Sequence, residues 1–167
     1  MFMAKWGGIV ISAVFILLFS SFGGFYIYSV NRVDNTLAWV TQSINISRVS
    51  SATVDASTEM AYFTVTLVVN NTTDTDANVT ISDLSLTVNG LDLEATPANE
   101  WQVKVKANDK AYIEGQIMMT YRDFLDVRSK GATPISINGD LYAKSRYGIV
   151  MRDASRPIAI NSRLQIY

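Results

Sequence analysis

The chain has 167 residues, a formal net charge of −1 and only 17% charged residues, so it carries no electrostatic footprint for nucleic acid. It contains no Cys and no His. That excludes thiolate chemistry, disulfides, imidazole-based catalysis and the common zinc and haem ligand sets, and it removes cysteine as a guide to compartment.

The first element in chain order is an anchor. Residues 6–30 read "WGGIVISAVFILLFSSFGGFYIYSV" and carry no charge. As a helix they reach roughly 35 Å, against a hydrocarbon core of about 30 Å. Ser12, Ser20 and Ser21 interrupt the run, and Ser bonds back to its own helix. Trp6, Tyr26 and Tyr28 stand near the ends, where amphipathic rings favour the membrane interface. Residues 1–30 are therefore expected to form a transmembrane anchor. A secretory signal peptide has an apolar core of about 7–15 residues and a small-residue cleavage site; this run is longer and no A-x-A follows it. "KWGG" at Lys5 to Gly8 resembles the cut site of type III signal peptides, as in archaeal pilins and archaellins. The expectation is an uncleaved anchor that keeps Met1, with cleavage after Gly8 as its rival. Ser20, Gly23 and Gly24 lie near one face and are candidates for close helix–helix packing, because small residues let backbones approach.

Charge beside the span sets an orientation. Lys5 and the α-amino group precede it, and Arg32 and Asp34 follow it, which favours an N-terminus inside. Four N-glycan sequons begin after it, at Asn45, Asn70, Asn71 and Asn78. The part after the anchor is expected outside the cytoplasm, as a single-pass cell-surface glycoprotein with those four asparagines as acceptor candidates. Residues 31–42 form a neck, in which "VDNTLAWV" can extend the helix with Leu37 and Val40 on one face.

From residue 43 to 167 the period changes to two. "YFTVTLVV" sets Phe63, Val65, Leu67 and Val69 on one face, the mark of a half-buried strand. After the polar stretch "NNTTDTDAN", the alternation resumes in "NVTISDLSLTVNG". The step from Ile81 to Leu84 is out of phase, and a β-bulge at Ser82-Asp83 restores it. Asn89-Gly90 marks a tight turn before "LDLEA". "WQVKV", the turn "ANDK" and "AYIEGQIMM" follow, the last with Ala111, Ile113, Gly115, Ile117 and Met119 inward. "TYRDFLDVRSKG" breaks the rhythm: Tyr121, Phe124, Leu125 and Arg128 recur at helical spacing before Gly131, a short helix with a glycine stop. "PISINGDLYA" and "YGIVMRDASRPIAI" supply the last strands. About seven strands joined by short turns predict an all-β fold, a sandwich of two antiparallel sheets.

The order of these segments resembles the late-embryogenesis-abundant type 2 family, also called the WHy (water stress and hypersensitive response) domain. The resemblance covers residues 43–160. It rests on "VTLVVNN", "ISDLSLTVNGLDLEA", "VKVKANDKAYIEGQIMM", "YRDFLDVRSKG" and "PISINGDLYA". The family has Asn-Pro after its second strand, where this chain has Asn70-Asn71. The resemblance implies an immunoglobulin-like sandwich without catalytic residues, here in the membrane-anchored form. The sequon-rich, cysteine-free composition fits an archaeal surface protein.

Asp74, Asp76 and Asn78 have the opening spacing of a calcium loop, but the EF-hand positions for Gly and Glu fall on Val79 and Ser85; the plain reading is an exposed Asx-rich turn. Ser129-Lys130 and Lys144-Ser145 are sequence neighbours, a poor geometry for a Ser–Lys dyad. Lys144, Arg146, Arg152 and Arg156 form a basic cluster suited to anionic lipid or an acidic partner. Tyr62, Tyr112, Tyr142 and Tyr147 are expected on exposed faces. No catalytic residue, cofactor or metal is expected. The function so implied is a non-enzymatic surface scaffold or accessory subunit of a membrane complex. Its partners would be the bilayer and other membrane or cell-surface proteins, with no nucleic acid. The alternative is a pilin-like or archaellum-associated filament or stator subunit, whose N-terminal helix mediates assembly into an oligomer or filament.

Overall fold

The computed structural model describes residues 3–50, 53–55, 57–88, 90–97, 101–129, 131 and 133–164, and for residues 3–8, 94, 97, 133, 162 and 164 the backbone alone. The rival cut site at Lys5 to Gly8 therefore has no described side chains, and Met1, Asn89 and Lys130 lie outside the described residues. One long helix, α1 (Met3–Gln42), leads into a sandwich. Its strands are β1 (Ile44–Val49), β2 (Thr53–Asp55), β3 (Met60–Asn71), β4 (Ala77–Val88), β5 (Leu91–Pro97), β6 (Gln102–Val105), β7 (Asp109–Thr120), β8 (Thr133–Tyr147) and β9 (Val150–Leu164). A short helix, α2 (Tyr121–Ser129), joins β7 to β8.

Both sheets are antiparallel. In one, β3 pairs with β1 and β2 on one side and with β7 on the other. In the second, β8 lies between β4 and β9. The far side of β4 is shared, with β6 along its first half and β5 along its second. Beyond its pairing with β4, β5 crosses over to pair Ala95–Pro97 with β7, so it ties the two sheets together. The described residues hold nine strands. The two beyond the expected seven are β1 and β2, whose mixed sequences "INISRV" and "TVD" lack a clean alternation.

The inward phases match the sequence pattern. Phe63, Val65 and Leu67 of β3 and Ile113, Ile117 and Met119 of β7 meet Val79, Ile81 and Leu86 of β4 and Ile137 and Leu141 of β8 in the core. The β-bulge is present: the β4–β8 register slips between Ser82 and Ser85, and Asp83 sits at φ +52°. The slip turns Leu84 inward. Opposite it, a Cβ on Gly139 would lie 3.0 Å from the Ser82 carbonyl oxygen, so the bulge needs glycine there. Gly90 at φ +83° follows the pair Val88↔Leu91, the geometry of a two-residue hairpin turn. In α2 the buried face is Phe124 and Val127, while Tyr121 and Leu125 are exposed, so the inward stripe differs from the expected one. The Thr120 hydroxyl accepts the Asp123 N–H and donates to its carboxylate, capping the helix start. Gly131 at φ +70° stops it.

The neck extends the helix, as its sequence allowed, and adds a stripe to the core. Residues 31–42 are not a spacer between anchor and domain. They continue α1 without a break, and Val33, Leu37 and Val40 are members of the sandwich core. Residues 9–42 include a stretch long and apolar enough to cross a membrane, and that stretch is wholly unburied.

Candidate functional site

The feature that most constrains function is the junction between α1 and the sandwich. Ser29, Val33, Thr36, Leu37, Val40 and Thr41 are buried and recur at spacings of three and four, one stripe down the helix. The buried hydroxyls do not cost unpaired polar atoms. Ser29, Thr36 and Thr41 each donate to the carbonyl four residues back, at 2.7, 2.9 and 2.8 Å. Thr36 also bonds Thr73 at 2.8 Å.

Further contacts run along the same helix. Arg32 ion-pairs with Asp74. Its guanidinium carbon also lies 5.1 Å from the Tyr28 ring centre and 4.5 Å from that of Tyr147, within cation–π range of both. Asp34 accepts from Arg152 at 3.1 Å. The Tyr147 ring packs 6.4 Å from Phe25 and edge-on to Tyr28 at 6.0 Å. At the helix end, the Asn70 backbone N–H reaches the Ser43 hydroxyl at 3.2 Å.

The stretch "NNTTDTDAN" is thus the docking loop for α1, and its own residues hold its shape. The Asn71 Oδ1 accepts from the Thr73 N–H at 3.1 Å and from its hydroxyl at 2.7 Å. The Asn71 amide donates to the Thr75 carbonyl at 2.8 Å and the Lys106 carbonyl at 3.1 Å. Asp76 receives the Ala107 N–H at 2.9 Å and the Lys104 ammonium at 2.6 Å. Lys104 first, then the Ala107 N–H, hold its carboxyl below the usual carboxylate range. Asp74 and Asp76 are therefore turned to different cations, and among the described residues no cluster of three or more metal-ligating side chains occurs.

The sequon asparagines fall in unlike surroundings. Asn45 on β1 and Asn78 on β4 are exposed, and Asn70 is half-buried beside the helix end. Asn71 is 1% exposed, and its amide nitrogen, the atom a glycan would take, donates to the Thr75 carbonyl within the loop and to the Lys106 carbonyl of the β6–β7 turn. Ser20 and Gly24 are exposed, and Gly23 nearly so. Added Cβ atoms on either glycine would meet nothing within 4 Å.

Other candidate residues are dispersed. Lys144 is exposed while Ser145 is buried and donates to the Asp76 carbonyl, so the two face opposite ways. Ser129 donates to the Asp126 carbonyl. Arg152 pairs with Asp34, and all four members of the basic cluster, Lys144, Arg146, Arg152 and Arg156, are exposed. Tyr112 and Tyr142 are exposed as expected and Tyr62 is half-buried. Tyr62 and Tyr147 are corrections: both are half-buried, Tyr147 because its ring packs against Phe25 and Tyr28 of α1. Sequence reasoning missed the clamp made by Arg32, Asp74 and Tyr147. The available signal was the stripe Ser29, Val33, Thr36, Leu37 and Val40, of which two members were noticed.

No family model matches the chain, and no curated protein matches it. Among solved structures it is similar to a protein from Archaeoglobus fulgidus, with 11% identity over 74% of this chain and 100% of that one, at TM-score 0.37. A protein of known solution structure from Arabidopsis thaliana shares 10% identity over 74% and 80%, at TM-score 0.44. AggA, the major subunit of aggregative adherence fimbriae type I from Escherichia coli, shares 10% over 77% and 98%, at TM-score 0.33. At these identities and scores none of them assigns a role to this chain.

Proposed function

We propose that the chain is a non-enzymatic, single-pass membrane protein that holds a WHy-like sandwich rigidly against the extracytoplasmic face of its membrane. There it works by protein contact, as a scaffold or accessory subunit. The observation that carries this reading is the continuity of α1: one unbroken helix is uncharged and largely exposed over residues 9–28 and locked into the domain core over residues 29–42. A cleaved leader has no reason to share a core with the mature domain. A rigid helix also fixes the height and rotation of the sandwich, which suits a protein that presents a surface to neighbours. The kinship with the WHy family rests on the sequence resemblance, and the contact-based role follows from it.

A specific observation also favours assembly through the helix. The free half of α1 carries an open notch at Gly23 and Gly24 with Ser20 close by, which allows a second helix to approach. That is the filament-type alternative.

The absence of cysteine makes the test clean. Single substitutions Lys5→Cys and Glu114→Cys in the full chain are treated with a membrane-impermeant maleimide on intact cells. Glu114→Cys is expected to react and Lys5→Cys only after lysis. Reaction of Lys5→Cys alone reverses the orientation, and release of the protein without detergent overturns the anchor.

A further inference from the structure

We infer that the tip of the β8–β9 hairpin dips into the outer leaflet of the same membrane, so that the sandwich is held at two points rather than one. This rests on the membrane-anchored reading above. The hairpin is paired to its end, with Arg146↔Met151 and Tyr147↔Val150 as its last rungs and Gly148-Ile149 as the turn. Gly148 has φ +58°, and a Cβ there would lie 3.1 Å from the Phe25 ring and 4.0 Å from the Ser29 hydroxyl. The tip therefore sits level with Phe25 to Ser29 on α1.

That height is the membrane boundary. The uncharged run ends at Val30, and Tyr26 and Tyr28 near that end carry the amphipathic rings that favour the interface, which sets the far interface at the level of Tyr28. The helix then meets its first charge past the apolar run at Arg32. The hairpin tip stands beside the last turns of the span, above the charged junction. Its turn exposes an apolar side chain where a soluble hairpin favours polar ones: Ile149 is 63% exposed and Met151 56%. Arg146 lies across the strand pair from Met151, with its Nε donating to the Gly148 carbonyl at 3.2 Å and its side chain exposed. Lys144 follows two residues away on the same outer face.

Two apolar side chains at the tip with cations just behind them match the layering of a lipid interface, acyl chains first and phosphates next. The occupant is lipid because the tip is continuous with the helix face that lipid already covers. The polar contacts of the loop at residues 72–76 with α1 reach Thr36 and Arg32, one turn short of Phe25 to Ser29.

The test uses the full chain reconstituted in vesicles of mixed zwitterionic and anionic phospholipid. Ile149→Cys carries a polarity-sensitive nitrobenzoxadiazole label, with Leu125→Cys on α2 as the distal control and Ser20→Cys, read with nitroxides placed deep on the acyl chain, as the control within the span. The expected result is a blue-shifted Ile149 label, quenched by shallow lipid-borne nitroxides severalfold more than the Leu125 label. Quenching should weaken when Arg146→Glu is added. If Ile149 behaves like Leu125 while Ser20 is quenched, the hairpin proposal is overturned and the span survives. If Ser20 is not quenched either, the anchored reading fails and takes the proposal with it. A blue shift without nitroxide quenching means that protein, not lipid, covers the tip, and overturns the proposal as well.

Discussion

The two halves of α1 share one backbone and follow opposite rules. Residues 9–28 carry no charge and are largely exposed, meeting the sandwich where Phe25 and Tyr28 pack against Tyr147. Residues 29–42 are amphipathic, with one buried stripe and with Asn31, Asn35 and Gln42 among the exposed positions. A helix that is hydrophobic on every side needs a non-aqueous surround, whereas a striped one needs a single partner. The change falls within one turn, between Tyr28 and Val33. The domain thus begins before the chain leaves the helix, and the boundary between membrane and protein is written in side chains rather than in a linker.

Matched truncations in each half give the largest contrast. Leu37 is 4% exposed and packs in the core; Leu37→Ala should cost about 3 kcal/mol of sandwich stability. Leu17→Ala, on the free half, should change it by less than about 0.5 kcal/mol. Denaturant unfolding of the full chain in detergent, followed by tryptophan fluorescence, measures both. Equal costs would break the comparison by showing that the free half also supports the domain.

A smaller effect is expected at the boundary itself. Arg32 joins residues 29–42 of α1 to the loop through Asp74 and lies against the rings of Tyr28 and Tyr147. Arg32→Ala should cost about 1–2 kcal/mol, most of it from the rings, because Asp74 is largely solvated. Arg32→Lys keeps the charge but loses the planar group, so it should recover only part of the loss. Full recovery by lysine would assign the clamp to charge alone.

The sandwich was largely legible from sequence and the junction was not, for a physical reason. Strand periodicity is local. Phe63, Val65, Leu67 and Val69 announce their face within eight residues, and the bulge at Ser82-Asp83 shows as a single slip in phase. β1 escaped because its burial alternation fails midway, where its register against β3 shifts between Ile46 and Arg48. The junction depends on pairings far apart in the chain, such as Arg32 with Asp74 and Asp34 with Arg152, separated by 42 and 118 residues. No local pattern says that a loop rich in Asn, Thr and Asp will fold against a helix rather than face water. The same composition also suggested glycans at Asn71, whose polar groups are spent on shaping that loop.

Asp76 provides the finest probe of residues 29–42, because it acts one step away from α1. Its carboxylate ties the docking loop to β6 through Lys104 and to the β6–β7 turn through the Ala107 N–H. Its pKa is lowered in the folded protein, so the folded state favours the ionised form. The stabilisation is therefore complete above the unfolded carboxylate value of about 3.9 and is lost as pH falls through the lower folded value. Asp76→Asn should cost less than about 1 kcal/mol at neutral pH, since both partners are well exposed. The gap to the parent chain should close below about pH 4. Unfolding curves of the two proteins from pH 7 to pH 2.5 test this. A gap that stays constant down to the lowest pH would mean that the side chain acts there through shape and hydrogen bonding, and that its charge plays no part in holding the loop to which the helix docks.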